Sequence, residues 1–304
     1  MGERNQFIPM KSSKAIASEF NRSILLVNRD SKALAIALAC FSIILFGIPT
    51  LGWILRHIFA SDWSSLLSTA SGFAFILWLL RSRLLKTASP DLLFFGVPYL
   101  WIVFAVVLGA ILALLGLLAS LTELYILSMF SESYAWIFAE QFFSNPILSA
   151  SPTTIATAVA IYCFLIPVAE EHLFRQYLLG NLMANFPAAK AIGSAVVIFS
   201  LLHAEFFAHA IYAVVLIALA LASQSLLPSI VTHACLNALA FVIPAILSPL
   251  RTGKGAMALA SSNGTVLFIS TVILAVCLLA GAGWIGNRMR TWQATGISPR
   301  SNPP

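Results

Sequence analysis

Three short stretches of this chain carry side chains capable of chemistry in surroundings made of hydrocarbon. The first is EEHLFR at 170–175, which follows an apolar run through Pro167. Glu171 and Arg175 are four apart, so a helix places them on one face with the acid N-terminal to the base, the better order for pairing. Glu170 lies about 100° further round the helix and has no local partner of its own. One carboxylate is neutralised in place and its neighbour is left for another task. The second stretch, FSLLH at 199–203, puts Phe199 and His203 on one face. The third, HACLN at 233–237, does the same for His233 and Asn237. Lipid offers no hydrogen-bond partner, so each polar pair is expected to turn inward. A glutamate, two histidines and an asparagine from three helices can then surround one water.

Hydrolysis of an amide suits that set. A carboxylate withdrawn from bulk water can act as general base, and a neutral imidazole can share or orient the same water. A second imidazole and an amide N–H can donate to the tetrahedral oxyanion. No serine or cysteine nucleophile is needed. Other chemistries lack their residues: no HExxH zinc motif occurs, HAEFFAH at 203–209 has no PCxxC behind it, and the apolar runs contain no Asp for an aspartyl pair. A Glu–His–His set can hold a divalent metal, but a metal is not favoured and no cofactor is expected. Each stretch also has a plainer reading. The 170–175 charges could mark a helix end, His203 could be a hydrogen-bonded core histidine, and His233 with Asn237 could be interhelical glue. Glu205 and His209 are expected near the outer interface, and His172 on the side of its helix opposite Glu170. His57 is expected in a loop. None of these four is assigned to catalysis.

The elements that must hold these residues are membrane helices. Of 304 residues, 60% are hydrophobic and only 9% charged, where globular chains run near a quarter charged. Apolar runs long enough for a hydrocarbon core of about 30 Å fall at about 33–55, 64–80, 92–121, 151–169, 188–207, 208–223, 229–248 and 264–286. The expected fold is therefore all-α, a polytopic bundle of about eight transmembrane helices. The first three runs and the eighth contain no Asp, Glu, Lys, Arg or His, whereas 167–237 holds nine such residues, Lys190 among them. Intramembrane charges are costly and usually functional, so function is expected in that region. Four parts follow: a basic arm at 1–32, accessory helices at 33–150, the catalytic core at 151–248, and a last helix with its tail at 249–304.

The net charge of +6 reports topology. With a cytoplasmic N-terminus, thirteen Lys and Arg fall in inside segments and three outside, Arg175 set apart. That asymmetry orients membrane proteins. Both termini are expected in the cytoplasm and the chain in the plasma (inner) membrane, with the lipid bilayer as partner and no nucleic acid. The segment 123–150 is expected as an outside loop. Cys40, Cys163, Cys235 and Cys277 all lie in apolar runs and read as small packing residues. This topology puts Glu170 and His233 toward the inner half of the bilayer and His203 toward the outer. They meet only if helices tilt, or if 151–186 breaks at Pro167 and re-enters.

In order, EEHLFR, FSLLH and HACLN resemble the motifs EExxxR, FxxxH and HxxxN of the CPBP family. These are the CAAX-protease and bacteriocin-processing (Abi) intramembrane proteins, which include the Ras-converting CAAX endopeptidase. The resemblance covers about 151–248. It implies a glutamate-dependent endopeptidase acting on a peptide or lipid-anchored protein, with Glu170 as base and His203 helping to activate water. By the same resemblance His233 and Asn237 stabilise the oxyanion, while Glu171, Arg175 and Phe199 support the site. His172, Leu173 and Gln176 depart from relatives that often carry small residues there, which leaves room for a different substrate groove. A non-proteolytic immunity or partner-binding protein using the same pocket is the alternative.

Overall fold

The computed structural model describes residues 33–56, 61–84, 97–143, 150–203, 205–223, 225–247 and 252–295. Among these described residues every regular element is helical. We label the helices α1 (33–56), α2 (Ser61–Leu84), α3 (Tyr99–Phe130), α4 (Glu132–Phe143), α5 (Pro152–Asn185), α6 (Ala188–Leu201), α7 (Phe206–Ser223), α8 (Leu227–Ile246) and α9 (Gly253–Thr295). Their starts follow local chemistry. Pro98 and Pro187 stand just before α3 and α6, and Pro152 and Pro228 sit in the first turns of α5 and α8, where a missing N–H does no harm. Ser151 caps α5 by accepting the Thr154 N–H at 3.2 Å, worth about 1 kcal/mol.

Five helices are long and apolar enough to cross a membrane: Trp63–Leu80, Tyr99–Phe130, Pro152–Asn185, Phe206–Ser223 and Gly253–Gly281. Shorter apolar helices cover Ala39–Leu55, Ala188–Leu201 and Leu227–Ile243. Large apolar side chains such as Trp78, Leu100, Val107, Ile273 and Val276 point outward. A water-soluble surface rarely presents so much hydrocarbon; in lipid it is the ordinary exterior. The chain is a multi-pass membrane protein.

Two of the bundle's buried cores frame the region between its halves. One gathers Leu66, Ile76, Leu173, Phe174 and Phe199 from α2, α5 and α6. The other gathers Leu112, Leu115, Tyr212 and Leu219 from α3 and α7. α8 packs on both α3 and α5 and so joins the halves. Its seat on α3 needs Gly109, where a Cβ would stand 2.7 Å from both Cys235 Cβ and Thr232 O. That close approach lets the Thr232 hydroxyl reach across to Ala105 O at 3.0 Å. On the far side of α3, Gly264 of α9 leaves space for the Tyr125 ring. Small residues at such crossings are what membrane helices use in place of a hydrophobic drive.

One expectation is corrected, and one of two alternatives that the sequence left open is set aside. The segment 123–150 is not simply a loop: Glu123 lies within α3, and α4 packs Ala135, Ala139 and Phe143 against α3 and α9. Nor does the chain break at Pro167 and re-enter. α5 runs unbroken from Pro152 to Asn185, because wider π-helical turns at Ile161–Leu165 and Glu171–Leu178 absorb the irregularity. A widened turn ahead of the proline relieves its ring's clash with the carbonyl four residues back.

Candidate active site

The site lies on the seam between the two halves, and α5 supplies its acids. The π stretch Glu171–Leu178 is buried along its whole length, Glu171 and Arg175 included. Glu171 has no exposure at all, and three neighbours compensate its charge. Arg175 Nε stands 3.2 Å from Oε2 as an ion pair, His233 Nδ1 lies 3.0 Å from Oε1, and the Ser229 hydroxyl donates to Oε2. The Arg175–Glu171 pairing is that read from the four-residue spacing. Arg175 is not hydrogen-bonded in this pair; instead its guanidinium lies 4.4 Å over the Phe199 ring. Such a stacked cation is favourable away from water.

Phe199 is the hub beneath these groups. It is 2% exposed and meets Phe174 edge-on at 4.9 Å and the His203 ring at 4.6 Å. It thereby ties α5 to the end of α6. His203 follows as the helix ends, and its Nδ1 lies 2.8 Å from Phe199 O. A carbonyl can only accept, so Nδ1 carries the proton of this bond and a neutral ring keeps its lone pair on Nε2.

The same logic fixes His233. A carboxylate accepts from Nδ1, so exchange with the site runs through Nε2, which stands 3.8 Å from Glu170 Oε2. That is beyond hydrogen-bond range. Glu170 Oε2 is buried without a hydrogen-bond partner among the described residues. The two adjacent glutamates are thus unlike: one is fully engaged, and the other turns an uncommitted oxygen toward an imidazole.

A cavity of about 390 Å³ collects the pieces. Glu170, His203, His233 and Asn237 all line it, with Tyr162 and Tyr212 beside them and Phe73 and Phe241 as apolar wall. The four residues read from sequence as the reacting set therefore share one space large enough for water and a peptide group. Phe199 lines it too, while Glu171 and Arg175 stand behind. Asn237 is only partly free for it. Its Nδ2 donates to Tyr162 O at 2.8 Å, which leaves one N–H and the side-chain oxygen.

Two neighbours missed in the sequence reading belong here. His209 packs into the site: its ring stacks on His203 with centroids 4.0 Å apart and 13° between planes, and it lines the cavity. Glu205 is buried, accepts from the Ser120 hydroxyl, and lines a second chamber of about 230 Å³ that shares His209, Tyr212 and Asn237 with the first. Residues 203 and 209 flank a helix reversal, so no helical spacing relates them. Ser229 was legible in principle, four before His233 on the same face. His172 is buried and donates to Val168 O at 2.7 Å. His57 lies outside the described residues. Among the described residues, no three or more His, Cys, Asp or Glu are grouped to hold a metal ion.

Residues 152–239 match the family model of the Rce1-like proteins, described as type II CAAX prenyl endopeptidase Rce1-like. The match spans the start of α5 to just past Asn237 and contains every residue of the set. No curated protein and no solved structure matches the chain.

Proposed function

From the match of residues 152–239 to the family model described as type II CAAX prenyl endopeptidase Rce1-like, we propose that this chain is an intramembrane endopeptidase. It hydrolyses a peptide bond near a lipid-attached or membrane-embedded segment, without a metal. The carrying observation is that Glu170, His203, His233 and Asn237, brought in by α5, α6 and α8, line one cavity.

Glu170 takes a proton from water as the water oxygen bonds to the scissile carbonyl carbon. Among the described residues, no donor competes for its Oε2. His203 Nε2 accepts the water's other O–H and aims its lone pair. The carbonyl oxygen becomes an oxyanion facing the remaining Asn237 N–H and His233 Nε2, which donates there whenever it carries a proton. The C–N bond then breaks, and the proton held by Glu170 passes to the leaving nitrogen. One water is consumed, and a carboxylic acid and an amine result. Glu171 holds the His233 ring in the orientation this requires, and Arg175 with Phe199 holds Glu171.

The test uses the full chain in liposomes with a farnesylated peptide ending in a CAAX sequence, the products read by mass spectrometry. Release of the last three residues by wild type, absent in Glu170→Ala and His203→Ala at equal membrane levels, is expected. Processing that survives both substitutions overturns the assignment.

A further inference from the structure

One side-chain bond at the site repairs a defect that the sequence itself creates. In the wide turn Ile161–Leu165, the Ile166 N–H reaches back five residues to Ile161 O. The next N–H in that register would belong to residue 167 and would satisfy Tyr162 O. Residue 167 is proline and has no N–H. An unsatisfied carbonyl in a buried or lipid setting is costly. The donor that meets Tyr162 O comes instead from another helix: Asn237 Nδ2, at 2.8 Å.

We infer that Asn237 is a positioning residue, the replacement for the N–H that Pro167 lacks, and that the pair sets how α5 presents Glu170. Glu170 is the third residue after Pro167, less than one turn on. Asn237 is four after His233, so one face of α8 holds α5 at two heights, at Tyr162 O and at Glu171 Oε1. The bridge between them spans the wall that Glu170 occupies. Phe241, one turn further along α8, rests on the Tyr162 ring at 5.6 Å and keeps the donor and carbonyl in register. This assigns a task to the N–H that faces the helix, distinct from the one left for the oxyanion. As far as it concerns turnover, the inference rests on the endopeptidase reading; as far as it concerns helix docking, it does not.

A double-substitution cycle separates the possibilities. Wild type, Asn237→Ala, Pro167→Ala and the double variant are compared as full chains in detergent micelles for thermal unfolding, and in liposomes for hydrolysis of the farnesylated CAAX peptide. Pro167→Ala restores an N–H for Tyr162 O from within α5. In the wild-type background Asn237→Ala should lower the unfolding midpoint by about 2–4 °C and kcat about tenfold or more through misplacement of Glu170. In the Pro167→Ala background the same change should move the midpoint by less than half as much and recover part of the loss in kcat. Equal losses in both backgrounds overturn the positioning role and leave Asn237 as an oxyanion donor alone. If Pro167→Ala itself abolishes turnover, the coupling of the unfolding midpoints decides. Coupled midpoints with no hydrolysis by any of the four would keep the positioning role and remove the endopeptidase reading.

Discussion

α3 and α5 are nearly equal in length, 32 and 34 residues, and both are apolar enough to cross a membrane, yet they are built in opposite ways. α3 keeps one α-helical register from Tyr99 to Phe130. Its hydroxyls lie within reach of its own backbone, Ser120 of Gly116 O and Thr122 of Leu118 O, while Ser120 also faces Glu205 and Thr122 faces Thr271, and its partners approach through small residues. α5 changes register on both sides of Pro167 and buries Glu170, Glu171, His172 and Arg175. A regular helix satisfies its own carbonyls and offers neighbours mainly a shape, with a few side-chain bonds such as Ser120 to Glu205 and the Thr232 hydroxyl on Ala105 O laid over it. An interrupted helix leaves a carbonyl and charges that neighbours must meet, and the neighbours that meet them are fixed in place. Asn237, His233, Ser229 and Phe199 are fixed in this way. Irregularity in α5 is thus how the fold assembles the site, as wide turns in helices often do at functional positions.

The sharpest test of that contrast lies within α5, between its two glutamates. Glu170→Gln keeps the shape and removes the base. Hydrolysis should fall about 10²–10⁴-fold, while the unfolding midpoint stays level or rises, because no hydrogen bond among the described residues depends on Oε2. Glu171→Ala should do the reverse of sparing the fold. It strands Arg175, which is 3% exposed, and removal of one member of a buried pair costs about 3–5 kcal/mol. The yield of monodisperse protein should collapse. Replacing both, Glu171→Ala with Arg175→Met, should restore much of the folded yield but not turnover, since His233 would have lost its anchor. A Glu171→Ala protein as stable as wild type would show that the two carboxylates are not divided in labour as described.

How much of this could be read from the residues alone follows the same division. The Glu171–Arg175 pair, Phe199 beside His203, and His233 with Asn237 on one face were legible, because four-residue spacing on a helix is a local matter. The apolar runs likewise marked the helices, with ends displaced: the third run extends to Phe130 and the fourth to Asn185. What was not legible depends on register and on chain reversal. Pro167 suggested a break, but the choice between a break and a widened turn rests on whether another helix can satisfy Tyr162 O. His209 joins His203 only because the chain turns between α6 and α7, which spacing does not encode. The donor on Asn237 could be recognised as available, but its acceptor lies 75 residues away. The helix α4 was hidden in a segment read as a loop because its apolar face is short.

Changes of packing on α3 should act on the site more weakly. Gly109→Ala adds one methyl whose carbon would stand only 2.7 Å from Cys235 Cβ and from the Thr232 carbonyl oxygen, so something must shift. Overpacking of this kind costs about 1–3 kcal/mol. Because α8 carries His233 and Asn237, hydrolysis should fall along with the unfolding midpoint, and both should be measured on the same preparation. A loss of midpoint with full turnover would show that the seat of α8 on α3 does not set the site.

The smallest effect is expected at Thr122, which faces Thr271 of α9 with hydroxyl oxygens 2.9 Å apart. Each hydroxyl has one hydrogen, and each also has a carbonyl of its own helix in range, Leu118 O at 2.7 Å and Leu267 O at 2.8 Å. Three bonds drawn from two hydrogens cannot all form at once, so the interhelical bond is made only when one backbone bond is given up. Thr122→Val removes a bond that was already shared and leaves Thr271 with its own carbonyl. Stability should drop by no more than about 0.6 kcal/mol, the usual scale of such a bond between membrane helices, and hydrolysis should not change. A loss several times larger in denaturant titration would mean that α3 and α9 are joined by directed bonds after all, and that the regular half of the bundle holds itself together as the interrupted half does.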